Sequence, residues 1–348
     1  MNAPAPGLAA VTGIGPVSRG AIGVAELAAA PAITGAAGGQ GVLDLDNFDP
    51  AAHLGRRGWK FLPPATRAGL AALRLALADA GDAPERTDDR TGVVVGTNFA
   101  VHEIVDRIDR ALLADGISGI SPVECPNFAV NVPVGQLSMS HGLKAFNITL
   151  ANLVTAGAES LLVGARALAA SRADAVFAGA IEGLPPAGFH TVAGGAADAS
   201  GACLLHLERT ATARRRGARI YALLTGGVRR TLPRDPHDAE RILGAALDRT
   251  GAEPSDNVQL CVPATELGRG AEDWVHAWAA ERGVRGAVTV VRGMPQACAT
   301  SVLALAQTLA RGAAEPVEGW RDGGLVSATL GPQGNLVVLR FGPAGEER

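Results

Sequence analysis

Apolar runs that suit buried strands alternate with amphipathic stretches along the whole chain. Thr91 to Thr97 is a short apolar run closed by glycine and predicts a strand, whereas residues 64–81 carry leucine and alanine at helical spacing and predict a helix. Strands are predicted at 8–18, 91–97, 146–151, 173–179, 201–208, 220–226, 257–262, 287–291, 325–330 and 335–340, and helices at 64–81, 101–115, 155–171, 236–250, 271–282 and 299–312. This alternation predicts mixed α/β layers, with helices between and outside two sheets.

The alternating pattern runs through the chain twice. A strand at 201–208 closes the first series, and a strand at 220–226 opens the second. We therefore predict an N-terminal half over residues 1–212 and a C-terminal half over residues 213–348. The remaining long stretches, 30–42 and 121–133, are rich in Gly, Pro or Asn and predict loops.

Composition narrows the class of protein. The chain has 348 residues, is 47% hydrophobic and can bury a large core, and its 45 glycines favour closely packed layers. A formal net charge of -3 gives no basic field for nucleic acid. No apolar run reaches the roughly 18 residues of a membrane span, and the N-terminus lacks the regions of a signal peptide. We expect a cytoplasmic protein that does not contact membranes.

The cysteines do not indicate a metal site or a disulfide framework. None of Cys125, Cys203, Cys261 and Cys298 belongs to a CxxC pair or to a Cys/His cluster at zinc spacing. We expect buried, reduced thiols and no bound metal.

The segment 145–163 has the layout of a nucleophile elbow. A β-branched strand runs into a tight turn, and a helix of small residues follows, which is how a reactive side chain is held at a helix N-terminus. The residue at the turn is Val154, which has no lone pair, thiol or ionisable proton and cannot attack a substrate. Unless the elbow lies elsewhere, the segment is a catalytic scaffold without its nucleophile.

Several segments stand in the order and at the spacing of one known family. They are Val11–Gly15, Ala76–Gly81, Arg90–Thr97, Arg216–Ala222 and Gly293–Met294. Together they resemble the β-ketoacyl synthase family, which has the thiolase fold, over nearly the whole chain. The resemblance implies an α/β protein in which two similar halves form a five-layered αβαβα sandwich.

The same resemblance implies that the catalytic triad is lost. Family synthases use a Cys-His-His triad, in which the Cys takes the acyl chain and the His residues assist decarboxylation. The matching positions hold Val154, Pro263 and Ala297. The chain is also shorter than typical members after Glu182, and residues 330–335 replace the Gly-Phe-Gly-Gly turn that gates the family's active site.

Silent members of this kind occur in the family. The chain resembles the chain length factor, or ketosynthase β subunit, of type II polyketide synthases, which pairs with an active ketosynthase and shapes the tunnel of the growing chain. That resemblance implies an active ketosynthase α subunit and an acyl carrier protein as partners. It implies no cofactor of the chain's own, since the partner works on phosphopantetheine-linked acyl chains. The elbow residue of such subunits is usually Gln, whereas an apolar Val154 suits a dry wall beside a polyene or reduced acyl chain.

The resemblance also suggests positions for the tunnel and the interface. The edge strand at 146–151 is expected to pair with the partner's sheet. The tunnel and interface candidates are Asn127, Phe128, Phe146, Asn152, Val154, Thr155 and Met294. Phe128, Phe146 and Met294 fit ordinary core equally well, and Thr155 and Ser160 fit a helix cap and a polar helix face.

Basic residues near the junction of the halves suggest a docking face. Arg214, Arg215 and Arg216 are candidates for binding an acidic carrier protein. The wider basic set comprises Arg219, Arg229, Arg230 and Arg234. A solvated charged surface is the alternative.

Two other functions remain open at this point. One is an acyl-binding or scaffolding homodimer without catalytic activity. The other is a diverged acyltransferase that uses Cys298 or Cys125 as a displaced nucleophile.

Overall fold

The fold comes from a computed structural model that describes residues 8–18, 20–34, 48–81, 88–184, 200–294, 297–314 and 323–344. In these ranges the strands are β1 (Ala9–Ser18), β2 (Ala21–Ile22), β3 (Thr91–Gly96), β4 (Asn147–Leu150), β5 (Ala175–Glu182), β6 (Gly201–Glu208), β7 (Ala222–Thr231), β8 (Asn257–Val262), β9 (Val288–Arg292), β10 (Leu325–Leu330) and β11 (Asn335–Gly342). The helices are α1 (Val24–Ala29), α2 (Pro50–Leu54), α3 (Pro64–Asp79), α4 (His102–Asp115), α5 (Val132–His141), α6 (Ala156–Ala169), α7 (Thr210–Arg215), α8 (Pro236–Arg249), α9 (Glu266–Glu281) and α10 (Cys298–Ala314).

The two halves repeat one strand order. The first half runs β4-β3-β5-β6-β1, and the second runs β9-β8-β10-β11-β7 in the same sense. Strands β3, β4 and β5 pair parallel in the first half, as do β8, β9 and β10 in the second, and the remaining pairs within each half are antiparallel. The two-residue β2 pairs only with β1 in the described part of the chain and lies off this order. The prediction of two similar halves is therefore confirmed. The exact division at residue 212 stays a prediction, since β1 pairs with β7 and makes the sheet continuous.

The layers follow from which faces are buried. One apolar cluster joins α6 and α10 to the inner faces of both sheets. A second cluster packs α3 and α5 against the outer face of the first sheet, and a third packs α8 and α9 against the outer face of the second. The order is therefore helix, sheet, helix, sheet, helix, as the five-layered prediction requires.

Most elements lie where the periodicity predicted them, and the exceptions have physical causes. The loop predicted over 121–133 is partly wrong, because it contains a 3-10 turn at Cys125–Asn127 and the start of α5. Pro133 lies in the first turn of α5, where a missing amide proton is tolerated, so proline there does not exclude a helix. The short helices α1, α2 and α7 are too brief to show a clear period.

Long-range pairing sets the far end of β7. The sequence predicts that this strand ends at 226, but it continues to Thr231 because β11 pairs with it as far as Asn335. The extension carries Arg229 and Arg230 to the end of the sheet near the elbow.

Candidate functional site

The elbow is built from β4, a 3-10 turn at Leu153–Thr155 and α6. Leu153 has a φ of 47°, a left-handed conformation that costs a non-glycine residue roughly 1–3 kcal/mol. Close packing holds the turn: a Cβ on Gly96 would lie 2.3 Å from the carbonyl carbon of Ala156, and one on Gly157 would lie 2.3 Å from the carbonyl oxygen of Cys298. Strand, turn and helix therefore meet as the elbow interpretation requires.

Val154 lies inside packed apolar side chains. It is 0% exposed and clusters with four buried neighbours, Cys261, Val291, Met294 and Ala304, with Ile33 packed against them. On the other side Gly331 approaches closely, since a Cβ there would lie 3.5 Å from Val154 Cγ2. The turn that begins at Gly331 therefore packs against Val154.

The other two positions that the resemblance matches to the triad carry no acid or base. Pro263 is buried just after β8, and Ala297 is buried just before α10 with a φ of 43°. Both lie near Val154, because Cys261 and Met294, two and three residues away from them, belong to the Val154 cluster. A pyrrolidine ring and a methyl group can neither move a proton nor stabilise an oxyanion.

Sequence reasoning missed a buried carboxylate behind the elbow. Glu182, the last residue of β5, is 0% exposed and accepts hydrogen bonds from Asn98 N (2.9 Å), Asn98 Nδ2 (2.9 Å), Phe99 N (2.7 Å) and Cys298 Sγ (3.0 Å). Burial raises the pKa of Glu182, while these hydrogen bonds oppose the rise. A glutamate closing an otherwise apolar strand is the only signal that the sequence offers for this site.

Cys298 is a weak candidate for a displaced nucleophile. Burial and the neighbouring Glu182 carboxylate raise the pKa of its thiol well above the usual value, so the reactive thiolate is disfavoured. Cys203 and Cys261 are buried as well, as the sequence predicted, whereas Cys125 is partly exposed.

A second set of polar side chains surrounds the Glu159 carboxylate beside the elbow. The Glu159 carboxylate accepts hydrogen bonds from Asn152 Nδ2 and from Thr155 Oγ1 (3.0 Å), and it lies 3.3 Å from Arg229 Nε. Asn335 Nδ2 donates to Asn152 Oδ1 at 2.8 Å, which joins the closing turn of the second half to the elbow of the first.

The structure contradicts the interpretations of Thr155 as a helix cap and of Ser160 as part of a polar helix face. Thr155 stands at the N-cap position of α6, but its hydroxyl donates to Glu159 and Asn152 O rather than capping the helix. Ser160 is fully buried and donates to the carbonyls of Gly157 and Gly179, so it is not on a polar helix face.

The aromatic and amide candidates occupy different environments. Asn127 is buried and its Nδ2 donates to Phe61 O at 3.2 Å, whereas Phe128 beside it is 57% exposed. Phe146 packs, partly buried, against the central cluster and lies close to Gly92. Met294 is core beside Val154. Phe128 therefore lies on the surface, and Met294 is part of the elbow's packing.

The structure separates the basic residues into two groups. Arg216 bonds the buried Glu208 carboxylate through Nη2 at 2.5 Å, and Arg219 bonds Asp79 at 2.7 Å. Arg229 belongs to the second group. It lies seven residues beyond Ala222 along β7, which at ~3.3 Å per residue places the two residues about 23 Å apart. Carrier docking at Arg214, Arg215 and Arg216 stays a prediction, and Arg216 has a structural partner already.

We expect that restoring a thiol at the elbow does not restore a nucleophile. In Val154→Cys the new side chain is buried, and neither Pro263 nor Ala297 supplies an imidazole. Iodoacetamide labelling of the native protein, read by mass spectrometry, should modify the same thiols in Val154→Cys and wild type. Under denaturing conditions the variant should carry one label more. Labelling of Cys at 154 in the native protein would contradict the closed elbow.

Within the described ranges, no helix is both long and apolar enough to cross a bilayer. Across the same residues, no three His, Cys, Asp or Glu side chains gather as ligands for a metal ion.

Comparisons with known proteins agree with this fold. The family model for the beta-ketoacyl synthase N-terminal domain matches residues 8–203, and the chain belongs to the β-ketoacyl synthase family. The 3-oxoacyl-[acyl-carrier-protein] synthase 2 of Vibrio cholerae is 29% identical over 212 residues, covering 52% of this chain and 50% of the relative. That of Rhizobium meliloti is 29% identical over 221 residues, covering 54% and 52%. The chain thus aligns with about half the length of these curated relatives.

Solved structures share the fold over almost the full chain. The ishigamide ketosynthase/chain length factor superimposes with a TM-score of 0.79 at 23% identity, covering 97% of this chain and 99% of the other. A ketosynthase chain from AntDE:AntF, a type II polyketide synthase complex with its acyl-carrier protein, gives a TM-score of 0.78 at 18% identity, with the same coverage. The predicted thiolase-type fold is confirmed.

Proposed function

We propose that this chain is a catalytically silent, ketosynthase-like subunit. It pairs with an active ketosynthase of a type II polyketide synthase and forms one wall of the tunnel in which a polyketide or polyene chain grows. The observation that carries the proposal is the elbow itself. Val154 is fully buried among apolar side chains, and Pro263 and Ala297 stand where the family's proton-transfer residues would be. The partner therefore supplies the chemistry, and this chain limits the length of the product.

The backbone of β4 supports a partner at the edge of the first sheet. Among the described residues β4 pairs with β3 alone, and the carbonyls of Phe146 and Leu150 accept amide protons from Val93 of β3 and from Thr97 just after it. Alternate residues of a parallel strand bond the same neighbour, so the amide and carbonyl groups of Asn147 and Thr149 point away from the sheet. An exposed edge of this kind is a template for a second strand.

Exposed apolar side chains support a partner beside this edge. Helix α5 packs against β4, and Met139 on α5 is 69% exposed. Phe128, just before α5, is 57% exposed, and Val123 and Val130 in the same segment are exposed too. We call these four residues the α5 patch. Large apolar groups left exposed near a sheet edge are typical of a protein–protein interface.

The names of the structural relatives support the kind of partner. One is a ketosynthase/chain length factor, and the other is a ketosynthase in complex with an acyl-carrier protein. By analogy, we infer that the present chain pairs with a ketosynthase and that the pair is served by an acyl carrier protein. The phosphopantetheine arm belongs to the carrier, so the chain itself needs no cofactor. A cytoplasmic location follows from these partners.

Co-expression with a candidate ketosynthase, followed by size-exclusion chromatography with light scattering, tests the proposal. A stable 1:1 complex is expected.

Thr149→Pro removes an outward amide without breaking the bonds to β3, so we expect it to weaken the complex by at least roughly tenfold, the equivalent of one or two backbone hydrogen bonds. The matched control is Val290→Pro on β9 at the opposite edge of the sheet, where the amide also points outward. It should leave the affinity unchanged, and equal weakening by both variants would argue against the β4 interface.

An acyl-binding homodimer is the second candidate, since the α5 patch and the β4 edge also fit a second copy of this chain. The homodimer would be favoured if this chain dimerises alone and binds none of the ketosynthases tested. An acyltransferase that uses Cys298 has less support, because burial and Glu182 disfavour the thiolate. Native labelling that abolishes an acyl-transfer activity through Cys125 would favour that remaining alternative.

A further inference from the structure

The Glu182 carboxylate joins segments that are far apart in sequence. We call it, with its donors Asn98, Phe99 and Cys298, the Glu182 cluster. Glu182 ends β5, Asn98 and Phe99 follow β3, and Cys298 begins α10. The Glu182 carboxylate that these donors reach is 0% exposed, whereas Asn98 is partly exposed, so the carboxylate itself is enclosed behind the elbow.

The cluster reaches the elbow itself through Asn98. The same Nδ2 group that donates to Glu182 also donates to the carbonyl oxygen of Leu153 at 3.0 Å. Leu153 immediately precedes Val154 and is held in a left-handed conformation, with φ of 47°. The carbonyl of this strained residue is therefore fixed by an amide whose own orientation is set by Glu182.

The other strained residue of the site lies next to the cluster. Ala297 has a φ of 43° and directly precedes Cys298, whose thiol donates to Glu182 Oε2. Strained backbone persists only where surrounding contacts hold it. One carboxylate is thus linked to both of these positive-φ residues, to Leu153 through the Asn98 side chain and to Ala297 through its neighbour Cys298.

We propose that Glu182 is a positioning residue, which holds the elbow turn and the start of α10 in the geometry that shapes this chain's wall of the tunnel. The inference rests on the proposed function. A carboxylate suits the role because all its acceptor sites face donors. A glutamine of the same size would turn its own N–H groups toward Asn98 or Cys298, and two donors facing each other cannot bond. Breaking the cluster should shift the Leu153 carbonyl and the elbow wall with it.

The test compares Glu182→Gln with a matched control in the co-expressed complex. Glu208→Gln is the control, because Glu208 is another buried carboxylate of the same sheet and pairs with Ala175 at the far end of β5 from Glu182. Both variants are expected to assemble with the ketosynthase. Glu182→Gln should lose the wild-type chain length as the major product, whereas Glu208→Gln should keep it even if its thermal stability falls. Cys298→Ser retains a donor and should behave as wild type.

Amide hydrogen exchange of the chain without its partner gives a second readout. Glu182→Gln should speed exchange over 153–157 and 298–302 and leave β8 unchanged. The inference is overturned if Glu182→Gln exchanges these amides at the wild-type rate, or if exchange is faster but the product length is unaltered. The proposed function stands in either case. If wild type forms no complex with any ketosynthase, the proposed function fails instead. The exchange measurement then decides alone whether Glu182 holds the elbow.

Discussion

Replacing Phe128 and Met139 together with aspartate is expected to abolish the complex with the ketosynthase at micromolar concentration. Both side chains are mostly exposed in this chain, at 57% and 69%, and both belong to the α5 patch. Truncating one buried interface anchor typically costs about 2 kcal/mol or more, so the pair should weaken binding by roughly 1,000-fold. The added carboxylates would also be desolvated against an apolar partner surface.

The double variant separates association from folding. Because the two positions are on the surface, unfolding free energy should change by less than about 1 kcal/mol. Ala277→Asp with Ala280→Asp adds the same charge at exposed positions of α9, in the outer layer of the second half, and is the matched control. Light scattering and titration calorimetry would measure the complex. Undiminished affinity in the Phe128 and Met139 variant would remove the α5 patch from the interface.

Arg216→Ala is expected to lower the unfolding free energy by about 3 kcal/mol at neutral pH, toward the lower end of the range for breaking a buried ion pair. The Glu208 side chain is 4% exposed and that of Arg216 is 29% exposed. Burial acts to raise the pKa of Glu208, but hydrogen bonds from Arg216 and Thr12, with the charges of His206 and Arg216, hold it below its usual value. Without Arg216 the carboxylate is left buried with weaker compensation.

The sign of the pH dependence follows from that lowered pKa. In wild type, Glu208 contributes stability at pH values above its unfolded-state pKa of about 4.3, and this contribution is lost as pH falls through the lower folded-state value. The gap between wild type and Arg216→Ala should therefore be largest near pH 7 and shrink in acid. Chemical denaturation at several pH values measures it.

Arg215→Ala provides the control for this second prediction. Arg215 is exposed and its Nη2 donates to the hydroxyl of Thr212 in its own helix, so its loss should change stability by less than about 0.5 kcal/mol. If both variants lose carrier binding while neither is destabilised, the basic segment is a docking surface rather than a structural anchor.

The elbow keeps the geometry of a reactive turn without a reactive side chain at its centre. The turn at Leu153–Thr155 includes a left-handed residue, yet the position it presents is filled by valine, against which Gly331 packs. The geometry is thus kept while the side chain at the turn is apolar. Such a site can form a wall without competing for the substrate.

The sequence by itself determined the layered fold and the absence of a nucleophile at position 154. Strand and helix periods are local properties, so the repeated series of elements could be read directly, as could the elbow around Val154. The absence of a nucleophile is equally local, because no neighbour can give valine a reactive atom. Helix α5 escaped detection because Pro133 in its first turn looks like a loop signal.

The tertiary structure decided which distant residues meet. Glu182 and Cys298 are 116 positions apart, and only the convergence of β5 and α10 brings their side chains to 3.0 Å. Pairing of β7 with β11 likewise places Arg229 beside Glu159 and far from Arg216. The basic residues that lie near one another in the sequence are therefore separated in the structure. Contacts of this kind depend on strand register and layer packing. These are set by the sum of many burial energies along the chain, and no local pattern records them.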